Sequence, residues 1–99
     1  MTTEKIIKLQ KILPYYCYQK LLDNGFDDNK LEQVFDEIDD CSGYFDNFSI
    51  VDKHEGNKLE SENNLIIFAD EEMQYEDSYS GWVWVKINDN EYLRWSYMC

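Results

Sequence analysis

Apolar residues in the N-terminal part of the chain recur at the spacing of amphipathic helices, and they predict three of them. The first apolar stripe lies in residues 6–13 and ends at Pro14, which disfavours a helical backbone at the residue before it. Pro14 also suits the first position of a second helix, whose apolar face lies in residues 15–22. Asn24 and Gly25 then predict a left-handed end to that second helix.

The third predicted helix has the most regular apolar face of the three. Its apolar side chains follow i, i+3, i+4, i+7 spacing: Leu31, Val34, Phe35 and Ile38. Its outer side carries acids four residues apart with two more beside them, and we call this set the acidic column: Asp28, Glu32, Asp36, Asp40, Glu37 and Asp39. Like charges at that spacing destabilise a helix by roughly 0.2–0.5 kcal/mol per pair, and the later acids oppose the helix dipole. The acidic column is therefore either a solvated face or a surface that binds a partner.

The remainder of the chain predicts four strands. Residues 44–51 mix aromatic and polar side chains, and residues 65–69 are apolar throughout, as in a central strand. Residues 52–64 between them predict a flexible, solvated loop. Residues 81–99 predict an aromatic hairpin. The sequence thus predicts one α+β domain, residues 1–99, with three N-terminal helices packed on a four-stranded, mainly antiparallel sheet that ends in the hairpin.

The predicted hairpin holds all three tryptophans, and its register decides which of them are buried. A three-residue loop at residues 88–90 would place Trp95 on an apolar face with Val83, and Trp82 and Trp84 on the opposite, amphipathic face. A two-residue turn would reverse that parity and stack Trp84 against Trp95. We favour the three-residue loop because it gives one uniformly apolar face. Trp82 and Trp84 are then either covered by helices or exposed as anchors for a partner.

Charge narrows the possible partners. The chain carries 21 Asp and Glu against 9 Lys and Arg, a formal net charge of −12, and most of the acids lie in residues 23–77. Such a field repels nucleic acid and membrane surfaces, and it accelerates association with basic proteins. No apolar run approaches the length of a transmembrane helix, and the N-terminus does not read as a signal peptide. We therefore expect a cytoplasmic protein that does not bind nucleic acid directly.

The sequence holds no recognisable catalytic or metal-binding motif. Three cysteines without a C-x-x-C pair and one histidine, His54, predict neither a zinc site nor a disulfide framework. Cys17 and Cys41 are expected to be small apolar fillers. Phosphate-binding glycine motifs and the G-x-S-x-G nucleophile motif do not occur. We expect no enzyme, no catalytic residue, no metal and no cofactor.

Clustered carboxylates beside aromatic residues instead predict a protein-binding surface. Carboxylates steer a basic partner, while Tyr and Trp side chains supply the anchors that dominate interface energy. Both occur together between Asp70 and Trp84. With the later acids of the third helix, the candidate partner-binding residues are Asp36, Glu37, Asp39, Asp40, Asp70, Glu71, Glu72, Tyr75, Glu76, Asp77, Tyr79, Trp82 and Trp84.

Residues 13–25, with the sequence LPYYCYQKLLDNG, resemble the L-P-x-x-Y-x-x-[FL]-L-x-x-N-G signature of SUKH-superfamily immunity proteins. Tyr18 stands one place later than the tyrosine of that signature. Residues 65–70 resemble the apolar strand of the same family, with Glu71 and Glu72 in place of the glycines that usually follow. The resemblance implies an α+β antitoxin that binds and blocks a cognate bacterial toxin.

Two functional hypotheses follow from the charge and the resemblance. The first is an immunity protein that neutralises a basic bacterial toxin such as a nuclease, because nucleases bind phosphate through Lys and Arg. The second is a phage-encoded inhibitor, such as an anti-CRISPR, that mimics nucleic acid in the binding channel of a host effector. Both predict an acidic protein whose partner is a basic protein.

Overall fold

The structure, a computed structural model, describes residues 3–39, 44–59, 65–75 and 78–98, and at residues 44, 72–75, 78 and 79 it describes the backbone alone. The described chain contains three helices followed by five strands, so the predicted α+β class is confirmed. The helices are α1 (Thr3–Ile12), α2 (Tyr15–Asp23) and α3 (Asp28–Asp39). The strands are β1 (Tyr44–Val51), β2 (Asn57–Leu59), β3 (Ile67–Tyr75), β4 (Ser78–Asn88) and β5 (Glu91–Met98).

Local sequence signals set the ends of the helices. Pro14 lies between α1 and α2, as predicted. Gly25 follows α2 with a left-handed φ of 78°, which glycine adopts without steric cost, so the predicted stop is confirmed. Asp27 precedes α3, and its side chain accepts a hydrogen bond from the backbone N–H of Lys30 at 2.9 Å. None of the helices in the described part of the chain is long and apolar enough to cross a membrane.

The strands form one antiparallel sheet in the order β1-β5-β4-β3-β2. It has five strands rather than the predicted four, because part of the predicted loop forms β2 and pairs with the start of β3. All β2 side chains are exposed, so no apolar alternation marks this strand in the sequence. The predicted central strand at residues 65–69 is also placed differently: β3 runs from Ile67 to Tyr75, and β4 occupies the middle of the sheet.

One cluster of buried side chains joins the helical part of the chain to one face of the sheet, which we call the core face. The N-terminal half contributes Leu9, Leu13, Cys17, Leu21, Phe26, Leu31, Val34, Phe35 and Ile38, and the sheet contributes Ile67, Val83, Val85, Ile87, Leu93 and Trp95. Burying each large apolar side chain stabilises the fold by about 1.5–3 kcal/mol. The opposite side of the sheet is the outer face.

The β4–β5 hairpin has the predicted faces but a different turn. Val83 lies opposite Trp95, as in the favoured register. The turn itself contains two residues, Asp89 and Asn90, rather than three. The register shifts at Ile87, where β4 holds one extra residue, and this irregularity restores the parity that a two-residue turn alone would reverse. Trp84 therefore lies on the outer face and does not stack on Trp95.

The connection between β1 and β2 crosses the outer face, because these two strands lie at opposite edges of the sheet. We call this connection, residues 52–56, the strap. In its centre the ring of His54 stacks on Phe68 of β3 and meets the ring of Tyr92 of β5 edge-on. The predicted flexible loop at residues 52–64 is therefore replaced at residues 52–59 by a packed strap and a short strand. Residues 60–64 lie outside the described chain.

Candidate protein-binding surface

The acidic column of α3 is bridged by a lysine from α1. Lys5 Nζ donates hydrogen bonds to Asp36 Oδ1 at 2.9 Å and to Glu32 Oε1 at 3.2 Å. Asp36 first, and then Glu32, raise the pKa of Lys5 above its ordinary value. Two acids of the column therefore hold α1 against α3, a role that sequence reasoning missed because only the packing of the helices brings Lys5 to them.

The other predicted binding residues of α3 have different surroundings. Asp39 is exposed in the last turn of the helix, whereas Glu37 is half-buried. Asp40 lies outside the described residues. The side chain of Asp36 stays 48% exposed in its contact with Lys5, so a second cation can still approach it. A partner-binding role for this helix stays a prediction.

The second group of predicted binding residues lies on the β3–β4 hairpin. Asp70 is opposite Trp82, so a carboxylate and an aromatic ring share the outer face across adjacent strands, whereas Glu71 is opposite Gly81 and lies on the other face. The side chains of Asp70 and Glu71 are exposed. The backbone of three further predicted residues lies in the same two strands: Glu72, Tyr75 and Tyr79. Two more lie outside the described residues: Glu76 and Asp77.

Strand β3 has an unpaired outer edge along its acidic half. β2 pairs only with residues 67–69 of β3, so no strand in the described part of the chain covers residues 70–75 on that side. We call residues 70–75 the acidic edge. Unpaired backbone N–H and C=O groups on an edge strand can pair with a strand from another chain.

The opposite edge of the sheet is protected. The register of β1 shifts between Asp46 and Ser49, where Asn47 has a φ of 60°. The hydroxyl of Tyr16 from α2 donates a hydrogen bond to the carbonyl oxygen of Phe48 at 3.2 Å. A bulge and an occupied carbonyl both hinder the addition of another strand. The acidic edge is thus the more available of the two edges.

The two outer-face tryptophans differ in exposure. Trp84 is 2% exposed, whereas Trp82 is half-buried. Strap residues, rather than a helix, line the space beside the ring of Trp84, namely Asp52, Lys53 and Glu55. Trp84 is therefore a buried residue of the outer face and not an exposed anchor. Trp82 retains exposed surface, and it lies next to the acidic edge through its pairing with Asp70.

Arg94 stacks on Trp82 and lies within cation–π distance of Trp84. Its guanidinium carbon lies 3.6 Å from the centroid of the Trp82 ring and 5.5 Å from that of Trp84. Contacts of this kind contribute about 0.5–1 kcal/mol at exposed sites and ~2 kcal/mol when desolvated. Strand alternation places Arg94 on the outer face opposite Trp84, a position that the sequence predicts. Its contact with the rings was not predicted from the sequence. The signal for that contact was present, because the favoured register puts Arg94 on the same face of the hairpin as Trp82 and Trp84.

The described residues contain neither a cluster of metal ligands nor an exposed thiol. The described residues include no group of three or more His, Cys, Asp or Glu that could hold a metal ion. Cys17 is buried in the core, and burial raises the pKa of its thiol, which disfavours the reactive thiolate. This placement agrees with the predicted role of Cys17 as an apolar filler. Cys41 lies outside the described residues.

The predicted site residues thus fall into two groups on different elements. One group lies on α3, where Lys5 binds part of it. The other combines the acidic edge with Trp82 on adjacent strands. It is the better candidate because an exposed carboxylate, an aromatic ring and backbone groups with no strand beside them in the described chain lie together. Comparison of the chain with family models, with curated proteins and with solved structures finds no match.

Proposed function

We propose that this protein is an inhibitor that binds and neutralises a cognate basic bacterial toxin, as an immunity protein does. The observation that carries the proposal is the acidic edge: an edge strand with exposed carboxylates at Asp70 and Glu71 and no strand beside it in the described chain. The resemblance of residues 13–25 to the signature of immunity proteins supports the same class. The protein acts by binding rather than by catalysis, and it acts in the cytoplasm.

Electrostatics favours a basic partner. With a formal net charge of −12, the protein attracts cationic surfaces over several ångströms and repels nucleic acid. A nuclease fits this charge best among toxins, because the Lys and Arg side chains that bind its phosphate substrate also bind carboxylates. Association with such a toxin is fast at low salt and slows as salt screens the charges.

The acidic edge also favours another protein over a second copy of this chain. Pairing two copies along residues 70–75 would bring carboxylates close to carboxylates, and like charges on facing strands are destabilising. A strand rich in Lys or Arg meets no such repulsion. Trp82 lies beside this edge and supplies an aromatic anchor of the kind that concentrates binding energy.

A nucleic-acid mimic is the second candidate function. It is favoured by the row of acids on α3, where Asp36 and Asp39 remain at least partly exposed. Such a protein would occupy the nucleic-acid channel of a host effector, for example as a phage-encoded anti-CRISPR. A toxin gene directly upstream supports the immunity protein, and a phage operon supports the mimic.

The test is co-expression with the product of the adjacent gene, followed by measurement of association rates with the purified pair. We expect the wild-type protein to restore growth, and the double variant Asp70→Asn/Glu71→Gln to bind more slowly and with a weaker salt dependence. The control removes the same charge elsewhere, through Asp23→Asn and Asp89→Asn, which are exposed acids away from the acidic edge.

Equal slowing by the control pair would mean that net charge, and not the acidic edge, governs association. Growth inhibition that the wild-type protein does not relieve would contradict the immunity function. Competition between the protein and DNA or RNA for one site on an effector would favour the mimic instead.

A further inference from the structure

Arg94 is the only arginine of the chain, and it has no carboxylate partner among the described residues. Its Nε atom is buried and makes no hydrogen bond within the described chain. A buried donor without an acceptor is destabilising. Because the acids of the described residues leave Arg94 unpaired, its guanidinium is available to an acceptor from another molecule.

The tryptophans hold the guanidinium in place without using its N–H groups. The Trp82 ring centroid lies 3.6 Å from the guanidinium carbon, in face contact, and the Trp84 ring centroid lies 5.5 Å from it. Face contacts leave the in-plane N–H groups free for hydrogen bonds. The two terminal Nη groups also form an edge of the guanidinium, and that edge matches the two oxygens of one carboxylate.

A pocket opens beside this group. It has a volume of about 150 Å³ and is lined by Arg94 and Trp84, by Val51 of β1, and by the strap residues Asp52, Lys53 and Glu55. A cavity of that volume accommodates a molecule the size of benzene. A carboxylate on a short carbon chain therefore fits, with its carbon atoms against Trp84 and its oxygens toward Arg94.

We propose that this pocket is a binding site for a single carboxylate group, held by Arg94 and covered by the strap. The charges of Asp52 and Glu55 offset those of Arg94 and Lys53, so the lining has no net charge and disfavours a doubly charged phosphate more than a singly charged carboxylate. The carboxylate belongs either to a small metabolite or to a side chain of a bound protein. The site does not depend on the proposed inhibitor function.

The isolated protein allows a direct test by nuclear magnetic resonance. Because the chain has one arginine, the Nε–Hε signal of Arg94 is unique. At constant ionic strength, acetate should shift that signal and the indole N–H signal of Trp84 along one saturable curve. Inorganic phosphate should bind at least tenfold more weakly than acetate. A capped peptide that contains one Asp represents the protein source: tighter binding than acetate assigns the site to a side chain, and weaker binding assigns it to a small molecule.

Two substitutions each remove one positive charge from the outer face, one inside the pocket and one outside it. Arg94→Gln should weaken acetate binding at least tenfold, read from the Trp84 indole signal, and Lys86→Gln should change it less than twofold. The proposal would be overturned if both substitutions weakened acetate binding equally or if phosphate bound more tightly than acetate. It would also be overturned if the signals shifted linearly with acetate and chloride shifted them equally. The proposal would also be overturned if acetate bound saturably only to the Asp52→Asn or Glu55→Gln variant. In that case the strap's own carboxylate would occupy Arg94 in the wild-type protein.

Discussion

The imidazole of His54 lies flat against the ring of Phe68, with ring centroids 3.4 Å apart and planes inclined by 16°. The edge of Tyr92 meets the same imidazole at 5.2 Å, and His54 Nδ1 lies 3.3 Å from the carbonyl oxygen of Gly56. These contacts hold the centre of the strap over β3 and β5. The strap, a polar connection between the edge strands β1 and β2, therefore covers Trp84.

Replacing His54 tests whether this contact closes the strap. We expect His54→Ala to destabilise the fold by about 1 kcal/mol, in the range of an aromatic pair, and to raise the access of a fluorescence quencher to Trp84. His54→Phe keeps a flat ring and should restore most of both quantities. Urea unfolding measures the stability, and acrylamide quenching of fluorescence measures the access to Trp84. Unchanged quenching in the alanine variant would show that the strap closes without His54.

The three tryptophans should differ in their contribution to folding. Trp95 is 1% exposed and Trp84 is 2% exposed, so we expect Trp95→Ala and Trp84→Ala each to lose about 3–5 kcal/mol of unfolding free energy. Trp82 is half-buried, and Trp82→Ala should lose clearly less while weakening partner binding. Chemical denaturation of the three variants gives the ranking. A loss for Trp82→Ala as large as the other two would remove it from the binding surface.

The contact of Lys5 with Asp36 and Glu32 should make stability fall in alkali. Because the folded pKa of Lys5 is raised above the ordinary value of 10.5, its stabilisation is complete below that pH and is lost as pH rises through the folded pKa. Lys5→Gln should therefore lower the urea midpoint at neutral pH and reduce its decline in alkali. Lys11→Gln removes the same charge from an exposed position of α1 and serves as the control. The same alkaline decline in wild type and Lys5→Gln would contradict the expected linkage.

Glu91 should have the opposite dependence on pH. A hydrogen bond from Lys20 first, and one from Asn88 second, lower the pKa of Glu91 below its ordinary value of 4.5. Its stabilisation is therefore complete above that pH and is lost as pH falls through the folded pKa. Glu91→Gln should lower the urea midpoint at pH 7 and flatten its decline in acid. Asp89→Asn, in the adjacent turn, is the control, and an equal flattening there would assign the effect to the net charge of the hairpin.

The parts of the fold that depend on local signals were predictable. Helical periodicity together with Pro14 and Gly25 placed the helices, because each signal acts within a few residues of the boundary it sets. Alternation also placed the hairpin side chains on their correct faces. The predicted turn length was wrong, but the predicted faces of the hairpin were correct because the extra residue at Ile87 compensates for the shorter turn.

The parts that depend on the order of the strands were not predictable. The strap is polar, and nothing in residues 52–56 indicates that it crosses the sheet until β1 and β2 are known to lie at opposite edges. Trp84 was therefore expected to face helices or solvent. The pairing of Lys5 with Asp36 was not predictable either, because it depends on the packing of two helices that are adjacent in space and distant in sequence.

The strand order also determines when the domain can fold during synthesis. β4 and β5 form the middle of the sheet, yet the ribosome makes them after all three helices and after β1, β2 and β3. In a nascent chain that ends at residue 75, the apolar residues of the three helical segments have no Val85, Leu93 or Trp95 to pack against. At ~5–20 residues per second, the residues from 76 to 98 take about one to five seconds to add. Throughout that interval the apolar residues of the helical segments lack these partners, so the core of the domain is completed only once the central hairpin has emerged.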